Sequence, residues 1–167
     1  MPMLHEMKVS GLMIDPASNA PIMILKSLDG ELILPIWIGL LEATAIATEL
    51  ESIQFSRPMT HDLCKTVMEN MDVTMSKIEV CDLKDNTFYA LIYFHGNDKD
   101  FVVDARHSDA IALALRMGSP IYVQDHVIQK SKSLTQRPKE MVKTEEGKKW
   151  TEILENLASE DFGKYKM

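Results

Sequence analysis

Phe101-Val102-Val103-Asp104-Ala105-Arg106-His107-Ser108-Asp109-Ala110-Ile111-Ala112-Leu113-Ala114-Leu115-Arg116-Met117-Gly118 sets the frame for the whole chain. Its first three residues read as a short apolar strand. The Ala/Leu run has high helix propensity and ends at a glycine suited to a helix C-cap. The polar residues between them therefore sit at a strand-to-helix junction. Such a junction presents unpaired backbone N–H groups and the positive end of the helix dipole, so it can hold anions or orient carboxylates. With His107 as the first helical residue, Asp109 falls at the third position, where an acid commonly caps the backbone behind it. Capping and a functional role both stay open for Asp109.

Upstream, Met7–Ile14 and Ala20–Leu25 read as strands, and Asp29-Gly30 signals a tight turn into Glu31–Ile38. Pro35 places that third strand near a sheet edge. From Leu40 to Glu51 the pattern is helical, with Ala43, Ile46, Ala47 and Leu50 on one stripe and Glu42 in the first turn. A second helix opens at Arg57-Pro58-Met59-Thr60-His61-Asp62, with Thr60 as N-cap and Leu63, Val67 and Met71 on its buried stripe. Val73–Val80 alternates but slips phase near Ser76-Lys77, which predicts a bulge. Thr87–Phe94 is the strongest strand, and His95–Asp98 turns it back toward the central junction. Beyond Gly118, Pro120–Val123 reads as a short strand, followed by a turn through Asp125 to Ile128.

These elements predict an α+β domain over residues 1–128, with two three-stranded β-meanders and three core helices. Residues 129–149, polar and lysine-rich, read as a basic flexible linker. Residues 150–167 read as a C-terminal amphipathic helix and tail, with Trp150, Ile153, Leu154 and Leu157 at helical spacing.

Charge is uneven along the 167 residues. The net charge of −7 hides 18 acids against 9 bases through Ile128, and 7 bases against 3 acids from Gln129 to Lys149. The domain thus lacks the broad basic face of a protein that grips nucleic acid mainly by its phosphates. No stretch approaches the roughly 20 apolar residues of a membrane span, and the N-terminus lacks the blocks of a signal peptide. The expectation is a cytoplasmic protein without a membrane anchor. Cys64 and Cys81 lack paired-motif spacing and are expected as core thiols.

Three motifs in order resemble the bifunctional nuclease family: Leu34-Pro35-Ile36-Trp37-Ile38-Gly39 with Glu42-Ala43 and Ala45-Ile46-Ala47; Arg57-Pro58 with Thr60-His61-Asp62-Leu63; and Asp104-Ala105-Arg106 with Ser108-Asp109-Ala110-Ile111-Ala112-Leu113-Ala114. The resemblance spans residues 5 to 128. Where the family motif usually carries proline, this chain has His107. The family takes its name from plant members that degrade both DNA and RNA, so the resemblance implies phosphodiester cleavage.

Two functions follow as expectations. In the first, a nuclease, His61, Asp62, Asp104 and Asp109 are catalytic, and His61 is the general base because its ordinary pKa lies near neutrality. Arg57, Arg106 and Ser108 bind the DNA or RNA substrate, the arginines bidentately. Glu42, Asp104 and Asp109 supply oxygens for Mg²⁺ or Mn²⁺. In the second, the chain is a non-catalytic oligomeric module that binds a small ligand or protein. Its twelve methionines and amphipathic tail also suit a homo-oligomer, a dimer or higher. The nuclease reading requires three helix starts to converge in space.

Overall fold

Alternation of apolar and polar residues builds seven strands, and their one shared apolar face sets the architecture. The computed structural model describes residues 1–135. Strands β1 (Leu4–Ile14), β2 (Pro21–Ser27) and β3 (Ile33–Trp37) pair consecutively and antiparallel. So do β4 (Thr74–Lys84), β5 (Thr87–Gly96) and β6 (Lys99–Arg106). Short β7 (Ile121–Gln124) lies antiparallel to β1 and parallel to β4. It fuses the two sets into one sheet of order β3-β2-β1-β7-β4-β5-β6. The class is α+β.

Local chemistry accounts for the turns. Asp85-Asn86 and Asn97-Asp98 all have positive φ, as a two-residue hairpin turn requires when it must match strand twist. The ladder between β4 and β5 shifts register between Met75 and Lys77, where the phase slip predicts it, and again between Val80 and Asp82. Pro35 lies in β3, an edge strand, where a missing N–H costs little.

Helices α1 (Leu40–Leu50) and α3 (His107–Met117) pack side by side over the sheet. Met23, Leu25, Leu34, Ile36, Ile78, Val80, Ile111 and Val123 are fully or almost fully buried between the layers. Truncating Ile111 to alanine there should cost about 2–5 kcal/mol through lost transfer energy and the cavity left behind. Helix α3 starts at His107, and Gly118 closes it with a left-handed φ of 65°, as an αL cap needs.

Four expectations need correction. Helix α2 (Thr60–Asn70) leans chiefly on α3, has no fully buried residue, and turns Leu63, Val67 and Met71 outward. Its N-cap is Met59, one residue earlier than expected, because Asp62 Oδ2 accepts the Met59 backbone N–H at 3.0 Å and fixes the first turn there. Cys64 is exposed and Cys81 only half-buried, and both are free thiols. Finally, Asp125–Thr135 forms a fourth helix, α4, where a turn and the start of the linker were expected. Val127, Ile128 and Ser131 are buried on it, and Lys130 ties it to Asp82 at 2.8 Å. The rest of the linker and the C-terminal helix lie outside the described residues. Among the described residues, no helix is long and apolar enough to cross a membrane.

Candidate active site

The loop ahead of α1 carries Gly39 so that Glu42 can fold back. A Cβ on Gly39 would overlap the Glu42 carboxylate, and its absence leaves that group room over the helix start. From there Glu42 Oε1 accepts a hydrogen bond from Arg106 Nη1 at 2.9 Å. Arg106 is the N-cap of α3, so its backbone is still extended while its side chain already reaches the first turn of its own helix. Its Nε donates to Asp109 Oδ2 at 2.7 Å. The other oxygen of Asp109 meets His61 Nε2 at 3.0 Å, on the first turn of α2. A single chain of contacts therefore runs Glu42, Arg106, Asp109, His61 across three helix starts.

Asp109 stands at the third helical position as expected, yet its side chain serves this chain of contacts. Burial pushes its carboxyl up, but the hydrogen bonds and charges of Arg106 and His61 outweigh that and hold it below the ordinary carboxylate range. An ionised Asp109 selects the His61 tautomer protonated at Nε2. Nδ1 is then the imidazole's proton acceptor.

Beside this chain lies a second, buried one. Arg116 Nε donates to Asp62 Oδ1 at 2.7 Å, and Arg116 Nη1 donates to the carbonyls of Ala45 and Ala112, both at 2.9 Å. Thr48 Oγ1 lies 3.4 Å from Nη2. Burial raises the Asp62 carboxyl, and Arg116 with the Met59 N–H more than reverse this. Arg116 thus bolts the start of α2 to both α1 and α3. Sequence reasoning missed it, although a lone arginine in an Ala/Leu helix was the available signal.

These groups surround an open hollow of about 420 Å³ between α1, α2 and α3. Glu42, His61, Arg106, Asp109 and Arg116 line it, with Leu41, Phe55 and Met59 as an apolar wall. Of the expected site residues, the structure brings Glu42, His61, Arg106 and Asp109 together and sets Asp62 directly behind them. It does not bring in the others. Ser108 is buried and faces a smaller hollow with Trp37 and His107, on the far side of the Glu42–Arg106 pair. Arg57 is exposed in the loop before α2 and does not line the hollow. Asp104 is exposed on β6, opposite Leu91, and its charge is felt at Cys81 instead.

The donor set as placed does not fit the expected Mg²⁺ or Mn²⁺ site. Glu42 and Asp109 both face the Arg106 guanidinium, which sits where a cation would, and Asp104 is elsewhere. Among the described residues, no group of three or more His, Cys, Asp or Glu is arranged to hold an ion.

With this geometry in view, known proteins give the context. Residues 23–136 match the model of the bifunctional nuclease domain, a span that covers α1, α2, α3 and every residue of the hollow. Two uncharacterized proteins of Mycobacterium tuberculosis, from strains CDC 1551 and H37Rv, are each 35% identical to this chain over 164 residues, covering 95% of it and 98% of their own length. The chain belongs to the bifunctional nuclease domain family.

Proposed function

We propose that the protein is a nuclease that cleaves phosphodiester bonds in RNA or DNA at the hollow between α1, α2 and α3. The observation that carries this reading is the convergence there of an imidazole, a guanidinium and two carboxylates from segments up to 64 residues apart. His61 Nδ1 takes the proton from the attacking hydroxyl or water, with Asp109 fixing the ring. Arg106 donates to the phosphoryl oxygens as charge develops on them. Glu42 holds the guanidinium in place, and the Asp62–Arg116 pair keeps the start of α2 in register.

The protein acts as a homo-oligomer of at least two subunits, a proposal supported by the outward apolar residues of α2 and β6. It works in the cytoplasm, in keeping with an exposed free Cys64. A second reading is a module that binds a small ligand or protein. The apolar wall of Leu41, Phe55 and Met59 favours it, as does the engagement of Arg106 by two carboxylates.

The test is cleavage of labelled single-stranded RNA and DNA, with and without Mg²⁺ or Mn²⁺. Loss of a general base costs about 10²–10⁴-fold in rate, so His61→Ala and Asp109→Asn should fall by that order at an unchanged fold. Cutting by both variants at the wild-type rate would mean a contaminating enzyme and would leave the binding-module reading.

A further inference from the structure

The two edges of the sheet are finished differently. Strand β3 is five residues long and carries Pro35, two ordinary devices against edge-to-edge pairing. Strand β6 is eight residues long, has no proline, and presents Phe101, Val102 and Val103 at 42%, 50% and 42% exposure. Among the described residues its outer row of N–H and C=O groups has no strand beyond it, since β6 ends the sheet. A long apolar edge of this kind is a template for another strand.

The geometry points to a second copy of this chain as the partner of β6, paired antiparallel about a two-fold axis through Val103. This goes beyond the proposal that the protein assembles, and it is independent of the nuclease reading. Hydrogen-bonded and non-hydrogen-bonded pairs alternate along an antiparallel ladder, so a symmetric pair must place one residue opposite its own copy. Overlap along Lys99–Arg106 favours Val102 and Val103 as centres, since either pairs nearly the whole strand, and charge then selects between them and the shorter Asp104 register. Centring on Val102 sets Asp100 against the partner's Asp104 twice, and centring on Asp104 sets that carboxylate against itself. Like charges directly opposite are destabilising. Centring on Val103 instead sets Asp100 against the partner's Arg106 twice, and Phe101 against the partner's Ala105.

That register has local support on both sides. The Asp100 side chain meets His95 Nδ1 at 2.7 Å and is still 88% exposed, so its charge is open to the side from which the partner's Arg106 approaches. Phe101 stacks on Phe94 at 5.3 Å between ring centroids, so its ring is already held on the face the partner's Ala105 would cover. Residues directly opposite share a face, so Val103, Phe101 and the partner's copies form one apolar strip along the seam. The result is a fourteen-stranded sheet in which the charge of Asp100 complements the partner's Arg106 across the seam, while the remaining Nη2 of each Arg106 stays at the rim of its own hollow.

The test uses the full chain in a Cys64→Ala, Cys81→Ala background. Light scattering should give twice the monomer mass, and Val103→Lys should reduce it to one. On mild oxidation Val103→Cys should form an intermolecular disulfide, while Val102→Cys, displaced by two residues from its copy, should not. A wild-type monomer would overturn both the assembly and this surface. An oligomer unaffected by Val103→Lys would overturn this surface and leave the assembly standing, and one cross-linked through Val102→Cys alone would overturn the register centred on Val103.

Discussion

Arg106 and Arg116 flank the same hollow from the two ends of α3, and they differ in almost everything that matters. Arg116 has a side chain 4% exposed and spends its donors on Asp62, two backbone carbonyls and a threonine. Arg106 is 65% exposed and holds Glu42 and Asp109 from the solvent side. A buried guanidinium that joins three helices is a structural bolt, because removing it leaves a cavity and cuts the ties between them. An exposed one held only by carboxylates can exchange partners at little cost, which is what substrate binding needs.

The sharpest way to break this contrast is Arg116→Ala. Truncating this buried side chain forfeits its packing and its bond to Asp62, itself 37% exposed, at about 2–5 kcal/mol, and calorimetry should show a drop of roughly 5 °C or more in Tm. A Tm within a degree or two of wild type would mean that Arg116 is no bolt.

Acid should act next, in two separable steps. Burial holds the His107 imidazole below its ordinary 6.5, and its Nε2 is buried without a hydrogen-bond partner among the described residues. The unfolded chain therefore takes up that proton first, so stability is full above about pH 6.5 and declines as pH falls below it. The Asp62 and Asp109 carboxyls are also lowered when folded, from an ordinary 3.8. Their contribution is complete above that value and is lost as pH falls through the lowered ones. Denaturant midpoints against pH should show both steps, and His107→Phe should remove the upper one alone. A midpoint flat from pH 7 to 4 in the wild type would contradict the His107 assignment.

Arg106→Ala should reverse the pattern of Arg116→Ala. Its exposed pairs are worth about 1 kcal/mol or less, while cleavage should fall by about 10²-fold, the order seen when one oxyanion donor is lost. Gly39→Ala is gentler: the new methyl displaces the Glu42 carboxylate from Arg106, lowering cleavage by less than Arg106→Ala does. Smallest of all, Asp104→Asn should change neither Tm nor cleavage, since Asp104 does not reach the hollow.

Where local chemistry decides structure, the chain is legible. The Ala/Leu run with Gly118 beyond it dictates α3, and the phase slip at Ser76-Lys77 marks the β4 bulge. Pairings between distant segments are another matter. Four residues of β7, parallel to one strand and antiparallel to another, carry no mark in the sequence of what they join. Periodicity shows that α2 has an apolar stripe but not which way it faces, and Leu63, Val67 and Met71 face outward. In α4, Val127, Ile128 and Ser131 are buried and Leu134 is partly buried among lysines and serines, a thin stripe that the polar residues mask.

The candidate site shows the same division. Glu42, His61, Arg106 and Asp109 were legible because each stands at or beside a helix start rich in polar groups. Asp104 shares their sequence neighbourhood but not their place, since the chain changes from strand to helix at Arg106 and only the helical side faces the hollow. Arg116 lies a full seven residues from Asp109, on the buried side of α3, and only the fold reveals its partners.

The most direct measurement is chemical rescue at His61. In His61→Gly the account predicts cleavage of single-stranded RNA at least about 10²-fold below wild type, an unchanged Tm, and a rate that recovers and saturates as imidazole is added. Wild-type cleavage by His61→Gly without imidazole would contradict a role for that ring in the chemistry.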